Sequence, residues 1–245
     1  MIDTHSHILP GIDDGAKTLE DSIAMLKQAE LSGVTDIILT PHYLKGTKYS
    51  SKNEKKWKLY QELKQKAEEA DIKIKLYLGN EIYIDAKLPE MLAGYVGEKN
   101  DLMYEISTLN STKYVLVELP VRAEEKSAKT ILTAIKKKGF IPVIAHPERY
   151  HYVQDNMEIL SDYLKIGCLL SGDILALTGK YGRREERTLK KLLQDKKIFC
   201  LATDAHKAVD YVLVDAMKKL KRIVKDEARI KELLITNPKR IIGGK

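Results

Sequence analysis

The run IDTHSHI, residues 2–8, is the first strand candidate of the chain and carries two of its six histidines. Six further short apolar runs with few central charges follow it: Asp36–Thr40, Lys73–Gly79, Tyr114–Leu119, Ile141–Ala145, Cys168–Ser171 and Ile198–Thr203. Runs rich in Val, Ile and Leu are typical of strands that are buried on both faces of a parallel sheet. The sequence therefore predicts about seven such strands.

Amphipathic stretches separate these runs. The first begins after Thr18, a helix N-cap candidate with Asp21 three residues later, and stops at Gly33. The later helix candidates are Lys52–Ala70, Ser127–Lys138, Met157–Ile166, Arg183–Lys196, Tyr211–Lys225 and Asp226–Leu234. Repeated strand–helix units predict an α/β fold with a parallel, closed barrel. Since no linker divides the chain, we expect one domain over residues 1–245.

Composition excludes several classes of protein. The 245 residues include 42 Lys and Arg against 35 Asp and Glu, a formal charge of +7. No basic motif with interleaved aromatic residues accompanies this excess, so we expect a lysine-rich surface and no nucleic-acid partner. No run reaches the ~18 apolar residues of a membrane span, and the first residues do not resemble a signal peptide. Two cysteines form no disulfide framework, which favours the cytoplasm.

Candidate metal ligands cluster at the carboxyl ends of the predicted strands. They are His5, His7, Asp14, His42, Glu81, Glu118, His146, Asp204 and His206. In a parallel barrel those ends converge on one face, where active sites are built. Each short motif taken alone has an explanation that needs no metal; Asp-Asp-Gly, for example, is usually a turn. That interpretation requires five of six histidines to reach strand ends by accident, and we reject it. The sixth, His151, lies in a Tyr-rich loop and is expected at the surface or outside the ligand set.

The donor types restrict the metal. Imidazole nitrogens and carboxylate oxygens without thiolates suit Mn, Fe, Zn or Mg rather than a closed structural zinc site. Nine ligands exceed what one ion uses, so we expect two or three ions that share a bridging carboxylate. Such a cluster activates a water molecule and stabilises negative charge on a phosphoryl oxygen.

At these positions the sequence resembles the polymerase and histidinol phosphatase (PHP) metallophosphoesterases. The motifs are His5-Ser6-His7, Asp13-Asp14-Gly15, Thr40-Pro41-His42, Asn80-Glu81, His146-Pro147-Glu148-Arg149 and Asp204-Ala205-His206. The resemblance extends from Met1 to about Pro238. It is strongest to the tyrosine-protein phosphatases of bacterial capsule and exopolysaccharide operons, the CpsB/YwqE type.

The resemblance implies a distorted (β/α)₇ barrel with a trinuclear centre that is often manganese-dependent. By motif, one ion would be held by His5, His7, Glu81 and Asp204, a second by Glu81, Glu118 and His146, and a third by Asp14, His42 and His206. Arg149 matches the phosphate-binding arginine of the family and would be catalytic, since a guanidinium grips two phosphoryl oxygens. The implied substrate is phosphotyrosine in the tail of a bacterial tyrosine kinase that controls polysaccharide synthesis.

The sequence departs from this family at one phosphate-binding position. Members usually carry a second Arg five residues after the final His, where this chain has Tyr211. The candidates to replace it are Lys207, Arg183 and Arg184. The loop that begins at Gly172 is also more apolar than in the family, because Leu170 and Ile174 flank it.

Two alternatives stay open at this point, and one is excluded. The first is hydrolysis of histidinol phosphate or another small phosphomonoester, and the second is a metal-bearing regulatory protein with little turnover. A cysteine-nucleophile phosphatase is excluded, because that chemistry needs a Cys-x₅-Arg loop. The sixth residue after Cys168 is Ile174, and the sixth after Cys200 is His206.

Overall fold

The computed structural model describes residues 1–93, 105–122, 124 and 126–243. Strands occur in all seven predicted strand regions, and two short additional strands follow the second and third. Within the described residues the strands are β1 (Ile2–Ser6), β2 (Asp36–Leu39), β3 (His42–Tyr43), β4 (Lys75–Leu78), β5 (Glu81–Tyr83), β6 (Tyr114–Glu118), β7 (Ile141–Ala145), β8 (Leu169–Asp173) and β9 (Cys200–Ala202).

The strands form two sheets in which all neighbours are parallel. One sheet has the order β1-β2-β4, and the other has the order β3-β5-β6-β7-β8-β9. A parallel bridge between Ser6 and Ala205 connects the end of β1 with the segment after β9. The structure agrees with the predicted α/β class and parallel strands. It records two sheets rather than the single continuous barrel sheet that was predicted.

The division into two sheets arises at two strand interruptions. Pro41 follows β2, and its lack of an N–H ends the ladder there. Asn80 follows β4, and its side-chain amide donates to the Pro41 carbonyl at 2.8 Å while its Oδ1 accepts from the Ser107 N–H at 2.9 Å. After these interruptions the chain resumes as β3 and β5, with His42 paired in register with Glu81. The interruptions therefore bring two candidate ligands side by side.

Helices cover the sheets. They are α1 (Leu19–Leu31), α2 (Asn53–Glu69), α3 (Leu88–Ala93), α4 (Ala128–Lys137), α5 (His151–Asp155), α6 (Ile159–Ile166), α7 (Arg183–Gln194), α8 (Val214–Val224), α9 (Glu227–Lys231) and α10 (Asn237–Gly243). The predicted capping box of α1 forms between Thr18 and Asp21. The predicted helix over 211–225 is shorter, because residues 208–211 form a separate 3₁₀ turn before α8. Among the described residues, none of the helices combines the length and apolarity that a membrane crossing requires.

Both faces of most strands are buried, as the apolar runs predict, whereas β4 is partly exposed along its whole length. Val115 and Val117 of β6 pack in the larger core cluster between strands and helices. Leu116 of the same strand packs in a second cluster with Val143 and Cys200. Ile241 of α10 belongs to this second cluster as well.

Candidate metal centre

The structure brings all nine predicted ligands together at the carboxyl ends of the strands. The strands themselves supply His5, His42, Glu81 and Glu118, and the loops that follow strands supply His7, Asp14, His146, Asp204 and His206. Three overlapping groups of donor atoms result, each with its atoms within 4.8 Å of one another. They are His5–His7–Glu81–Asp204, His7–Asp14–His42–His206 and His42–Glu81–Glu118. His146 belongs to none of these groups and contacts Glu81 from beside them, while His42 accompanies Glu81 and Glu118 where the resemblance implied His146.

The first group is fully buried and closely spaced. Asp204 Oδ1 lies 3.2 Å from His5 Nε2 and 3.0 Å from His7 Nε2. Glu81 Oε2 lies 3.3 Å and 3.4 Å from the same two nitrogens. Across the described residues, neither of these two carboxylate oxygens accepts a hydrogen bond. Buried carboxylate oxygens without donors are costly unless a cation satisfies them, so this cage fits a metal ion.

The second group is more open to solvent. Asp14 Oδ1 lies 3.3 Å from His42 Nε2 and 3.5 Å from His206 Nε2, and the Asp14 side chain is 52% exposed. The His7 ring stacks on the His206 ring, with centroids 4.1 Å apart. A cation bound in this group would therefore face the solvent side of the centre, where a substrate arrives.

Glu81 links the groups. Its Oε2 lies 2.8 Å from His42 Nδ1, while its Oε1 lies 2.8 Å from His146 Nε2. His146 Nε2 lies a further 3.9 Å from Glu118 Oε1. A carboxylate with both oxygens among different imidazoles has the geometry of a bridging ligand between two ions.

The backbone at two of the candidate ligands is strained. His146 has a φ of 32° and Asp204 a φ of 47°, both in the left-handed region that residues other than glycine rarely adopt. Strain of this kind costs about 1–3 kcal/mol per residue and is concentrated at functional sites. The surrounding packing therefore holds these side chains in the centre against a local backbone preference.

Asp13 orients a ligand from outside the donor groups. Its Oδ2 accepts from His7 Nδ1 at 2.8 Å and from the His42 backbone N–H at 3.0 Å, and its Oδ1 accepts from the Gly15 N–H at 2.9 Å. A proton held on Nδ1 leaves His7 Nε2 free to face the ions. Gly15 is required in this turn, because a Cβ there would lie 2.0 Å from the His7 carbonyl oxygen. The sequence contained Asp13 within a motif but did not assign this role.

The charges at the centre are strongly coupled. Burial alone would lower the pKa of His5, but the Glu81 and Asp204 carboxylates outweigh it and raise the pKa above its usual value. Burial would raise the pKa of Glu81, yet the His5 and His42 charges hold it well below its usual range. Burial and the Glu81 charge raise the pKa of Glu118 to about 8. Because metal ions compete with protons for such ligands, the same electrostatics favour a divalent cation.

Arg149, the predicted phosphate-binding residue, lies beside the first group. Its NH1 is 2.7 Å from Asp204 Oδ2, and its NH2 donates to Asp173 Oδ2. The guanidinium carbon lies 3.9 Å from the centroid of the Tyr181 ring. The sequence placed Asp173 and Tyr181 only within the loop that begins at Gly172, and it assigned neither residue a role.

Tyr211 occupies the position where family members carry a second phosphate-binding Arg. Tyr211 is fully buried, and its hydroxyl donates to Asp3 Oδ2 at 2.9 Å. It is therefore a core residue. Of the candidate replacements, Lys207 and Arg183 are exposed and Arg184 pairs with Asp155 on the surface.

The structure also locates Leu170, Ile174 and His151, which the sequence singled out. Leu170 and Ile174 are both fully buried in the larger core cluster, so the apolar character of that loop belongs to the core. His151, which the sequence placed outside the ligand set, is exposed.

The family profile for capsular polysaccharide synthesis, CpsB/CapC, matches residues 1–243. The chain belongs to the CpsB/CapC family. Among members of the CpsB/CapC family, tyrosine-protein phosphatase CpsB of Streptococcus pneumoniae is 30% identical over 249 residues, covering 99% of this chain and 98% of that one. Tyrosine-protein phosphatase YwqE of Bacillus subtilis (strain 168) is 33% identical over 206 residues, covering 84% and 77%.

Solved structures agree with this family assignment. A structure from work on YwqE of Bacillus subtilis and CpsB of Streptococcus pneumoniae, described as metal-dependent tyrosine phosphatases, superposes with a TM-score of 0.86. It is 27% identical and covers 100% of this chain and 95% of that one. The phosphotriesterase homology protein of Escherichia coli shares the fold at a TM-score of 0.62 and 11% identity, covering 96% of each chain.

Proposed function

We propose that this chain is a metal-dependent protein-tyrosine phosphatase of the CpsB/CapC family. Its substrate is phosphotyrosine on the tail of a bacterial tyrosine kinase that regulates capsular or exopolysaccharide synthesis. The observation that carries the proposal is the arrangement of three donor groups around Glu81, with the guanidinium of Arg149 beside them. A relative that matches nearly the whole chain, and others that match 84% of it, are named tyrosine-protein phosphatases.

Two or three divalent ions fit the donor set, with Mn²⁺ the first candidate and Fe, Zn or Mg the others. His5, His7, Glu81 and Asp204 would hold the first ion. Glu81, Glu118 and His146 would hold the second, and Asp14, His42 and His206 the third. When bound, the ions supply an activated water molecule and positive charge for the phosphoryl oxygens. Glu81 Oε2 and Asp204 Oδ1, which accept no hydrogen bond within the described residues, support the binding of metal ions at this centre.

Arg149 is the catalytic residue that the chain itself contributes to phosphate binding. Asp173 and Asp204 engage its two terminal nitrogens, and each of these nitrogens carries a second N–H. Those N–H groups bind phosphoryl oxygens and stabilise the charge that grows as the P–O bond breaks. The side chain is 20% exposed, which leaves it accessible from the solvent side of the centre.

The chain uses neither cysteine as a nucleophile. Cys168 and Cys200 are both free and buried. Burial raises the pKa of Cys168 to about 12 and that of Cys200 to about 11, so neither forms the thiolate that cysteine phosphatases need. Free thiols also fit the cytoplasmic location that the sequence favours.

The fold proposal follows the strand order. β3 continues β2 after a short interruption, and β5 continues β4 in the same way. If each of these pairs is counted as one strand of a barrel, the nine strands make seven barrel strands. The Ser6–Ala205 bridge supports closure of the first position onto the last. We place residues 1–245 in one distorted (β/α)₇ domain on this basis.

Substitution of Arg149 tests the proposal. We expect Arg149→Ala to lower kcat/KM for a phosphotyrosine peptide about a hundredfold or more, because the loss of one preorganised donor set commonly has this effect. Metal content should stay at the wild-type value, since Arg149 is not a proposed ligand. Arg222→Ala, which removes an exposed arginine from the last turn of α8, is the matched control and should leave turnover unchanged.

The substrate comparison separates the alternatives. The Mn²⁺-loaded protein should hydrolyse phosphotyrosine peptides faster than histidinol phosphate. A clear preference for histidinol phosphate would overturn the tyrosine-phosphatase proposal. The absence of turnover on both substrates would instead leave a metal-bearing regulatory protein.

A further inference from the structure

We propose that Asp173 and Tyr181 are positioning residues that fix the guanidinium of Arg149 before the substrate binds. This inference rests on the proposed function, because it assigns Arg149 to the phosphate. With Asp173, the carboxyl end of β8 also contributes to the active site. The sequence motifs contain no ligand at this strand end.

Asp173 is the last residue of β8, and it is 2% exposed. Its two oxygens have separate partners: Oδ1 accepts from the Leu175 N–H at 2.8 Å, and Oδ2 accepts from Arg149 NH2. The first bond caps the 3₁₀ turn Ile174–Thr178 and holds the carboxylate plane. The second oxygen is thereby aimed at the guanidinium.

Glu148 connects the turn that carries Arg149 to the same strand end. Its Oε1 accepts from the Asp173 backbone N–H at 2.9 Å, and the residue is fully buried. Two adjacent residues, Glu148 and Arg149, therefore contact the backbone and the side chain of one residue. This pair of contacts fixes the distance between the 3₁₀ turn Pro147–Arg149 and β8.

Tyr181 covers the face of the guanidinium. The ring centroid lies 3.9 Å from the guanidinium carbon of Arg149, a cation–π distance. With Asp204 on NH1, Asp173 on NH2 and Tyr181 on the face, the guanidinium is held on three sides. Arginine has a long, flexible side chain whose ordering opposes binding. If the side chain is already ordered in the free protein, phosphate binding no longer carries the entropic cost of ordering it.

A double-mutant cycle tests this coupling. Asp173→Asn keeps the shape of the side chain but removes its charge, and we expect kcat/KM for a phosphotyrosine peptide to fall about thirtyfold, which equals about 2 kcal/mol at 1.36 kcal/mol per factor of ten. Inhibition by inorganic phosphate should weaken in parallel. In an Arg149→Ala background the same Asp173→Asn change should have little further effect, because its target is absent.

Tyr181 gives a second, milder probe. Tyr181→Leu removes the ring from the guanidinium face together with the hydroxyl that hydrogen-bonds the Asp173 carboxylate. Tyr181→Phe loses only that hydroxyl and keeps the ring, so it should restore most of the activity. Asp155→Asn is the matched control, since Asp155 pairs with an arginine on the surface, outside the proposed site. Its kinetics should equal those of the wild type. Metal content and the thermal midpoint are measured for every variant.

The outcomes separate this inference from the proposed function. Equal effects of Asp173→Asn in the wild-type and Arg149→Ala backgrounds would overturn the positioning role, and so would a Tyr181→Leu variant with wild-type phosphate inhibition. If Asp173→Asn does not fold, the Tyr181 pair decides the inference alone. An Arg149→Ala variant with wild-type turnover would refute the role of Arg149 itself, and with it the proposal on which this one rests.

Discussion

Asp13 provides the sharpest test of how the ligands are held. Asp13→Asn changes one atom of a carboxylate that is fully buried and accepts three hydrogen bonds. The amide oxygen can replace only one carboxylate oxygen, while the amide NH₂ can donate but not accept. The NH₂ group must then face either the Gly15 N–H or the pair formed by His7 Nδ1 and the His42 N–H.

The expected magnitude follows from this geometry. If the NH₂ group replaces Oδ2, both the orientation of His7 and the anchoring of the His42 backbone are lost. Removal of such an outer hydrogen bond to a ligating histidine typically costs 10–100-fold in metal affinity, about 1.4–2.7 kcal/mol. His7 belongs to two of the three donor groups, so we expect the loss to lie in the upper half of this range.

Titration of chelator-treated protein with Mn²⁺, followed by calorimetry, measures the affinity directly. Asp215→Asn is the control, because the Asp215 side chain is 82% exposed and pairs with Lys218 on the surface of α8. It should bind Mn²⁺ as the wild type does. An Asp13→Asn variant with unchanged affinity would refute the claim that Asp13 fixes His7 for metal binding.

Two further predictions concern protons. Burial lowers the pKa of Lys56 to about 7, so the folded state binds fewer protons than the unfolded chain above that pH, and this group makes stability rise between about pH 7 and 10. Lys56→Met should lower the change in unfolding free energy with pH by up to about 1.4 kcal/mol per pH unit. Urea unfolding of the metal-free wild type and variant at pH 7 and 9 measures this change. An equal change in both proteins would contradict the prediction. Burial and Glu81 raise the pKa of Glu118 to about 8, so Mn²⁺ binding at pH 7 should release a proton from this carboxyl group. Calorimetry in buffers of different ionisation enthalpy should show smaller proton release for Glu118→Gln, and identical release would argue against Glu118 as a ligand.

Lys56 also shows how a residue far from the motifs supports them. Its ammonium donates to Asn80 Oδ1 and, at 3.1 Å, to Ser107 Oγ. Asn80 in turn holds the Pro41 carbonyl and precedes Glu81. The lysine thus stabilises both strand interruptions from inside α2, although its pattern in the sequence is that of an ordinary basic helix.

The sequence predicted which candidate ligands lie together, because their placement depends on strand ends alone. His5 and His7 are separated by one residue, so an extended backbone directs both rings to the same side. Parallel topology then brings His146 and Asp204 to the same edge, whatever their separation along the chain. No detail of packing is needed for this step.

The parts that the sequence did not predict depend on packing between distant segments. Tyr211 occupies a family arginine position, and only the structure shows that its side chain is buried against Asp3. Asp173 lies in an apolar stretch whose pattern indicates only a strand end. Its role requires the distance to Arg149, which the motif spacing does not contain. The split of the second and third strands depends likewise on the side chain of Asn80.

The central claim is that bound divalent ions and phosphotyrosine hydrolysis belong to the same site. The most direct measurement removes metal with a chelator, restores Mn²⁺ stepwise, and records both the ions bound per chain and the initial rate on a phosphotyrosine peptide. We predict no turnover without metal and full recovery as two to three ions bind. Turnover that persists after complete removal of metal would contradict the account.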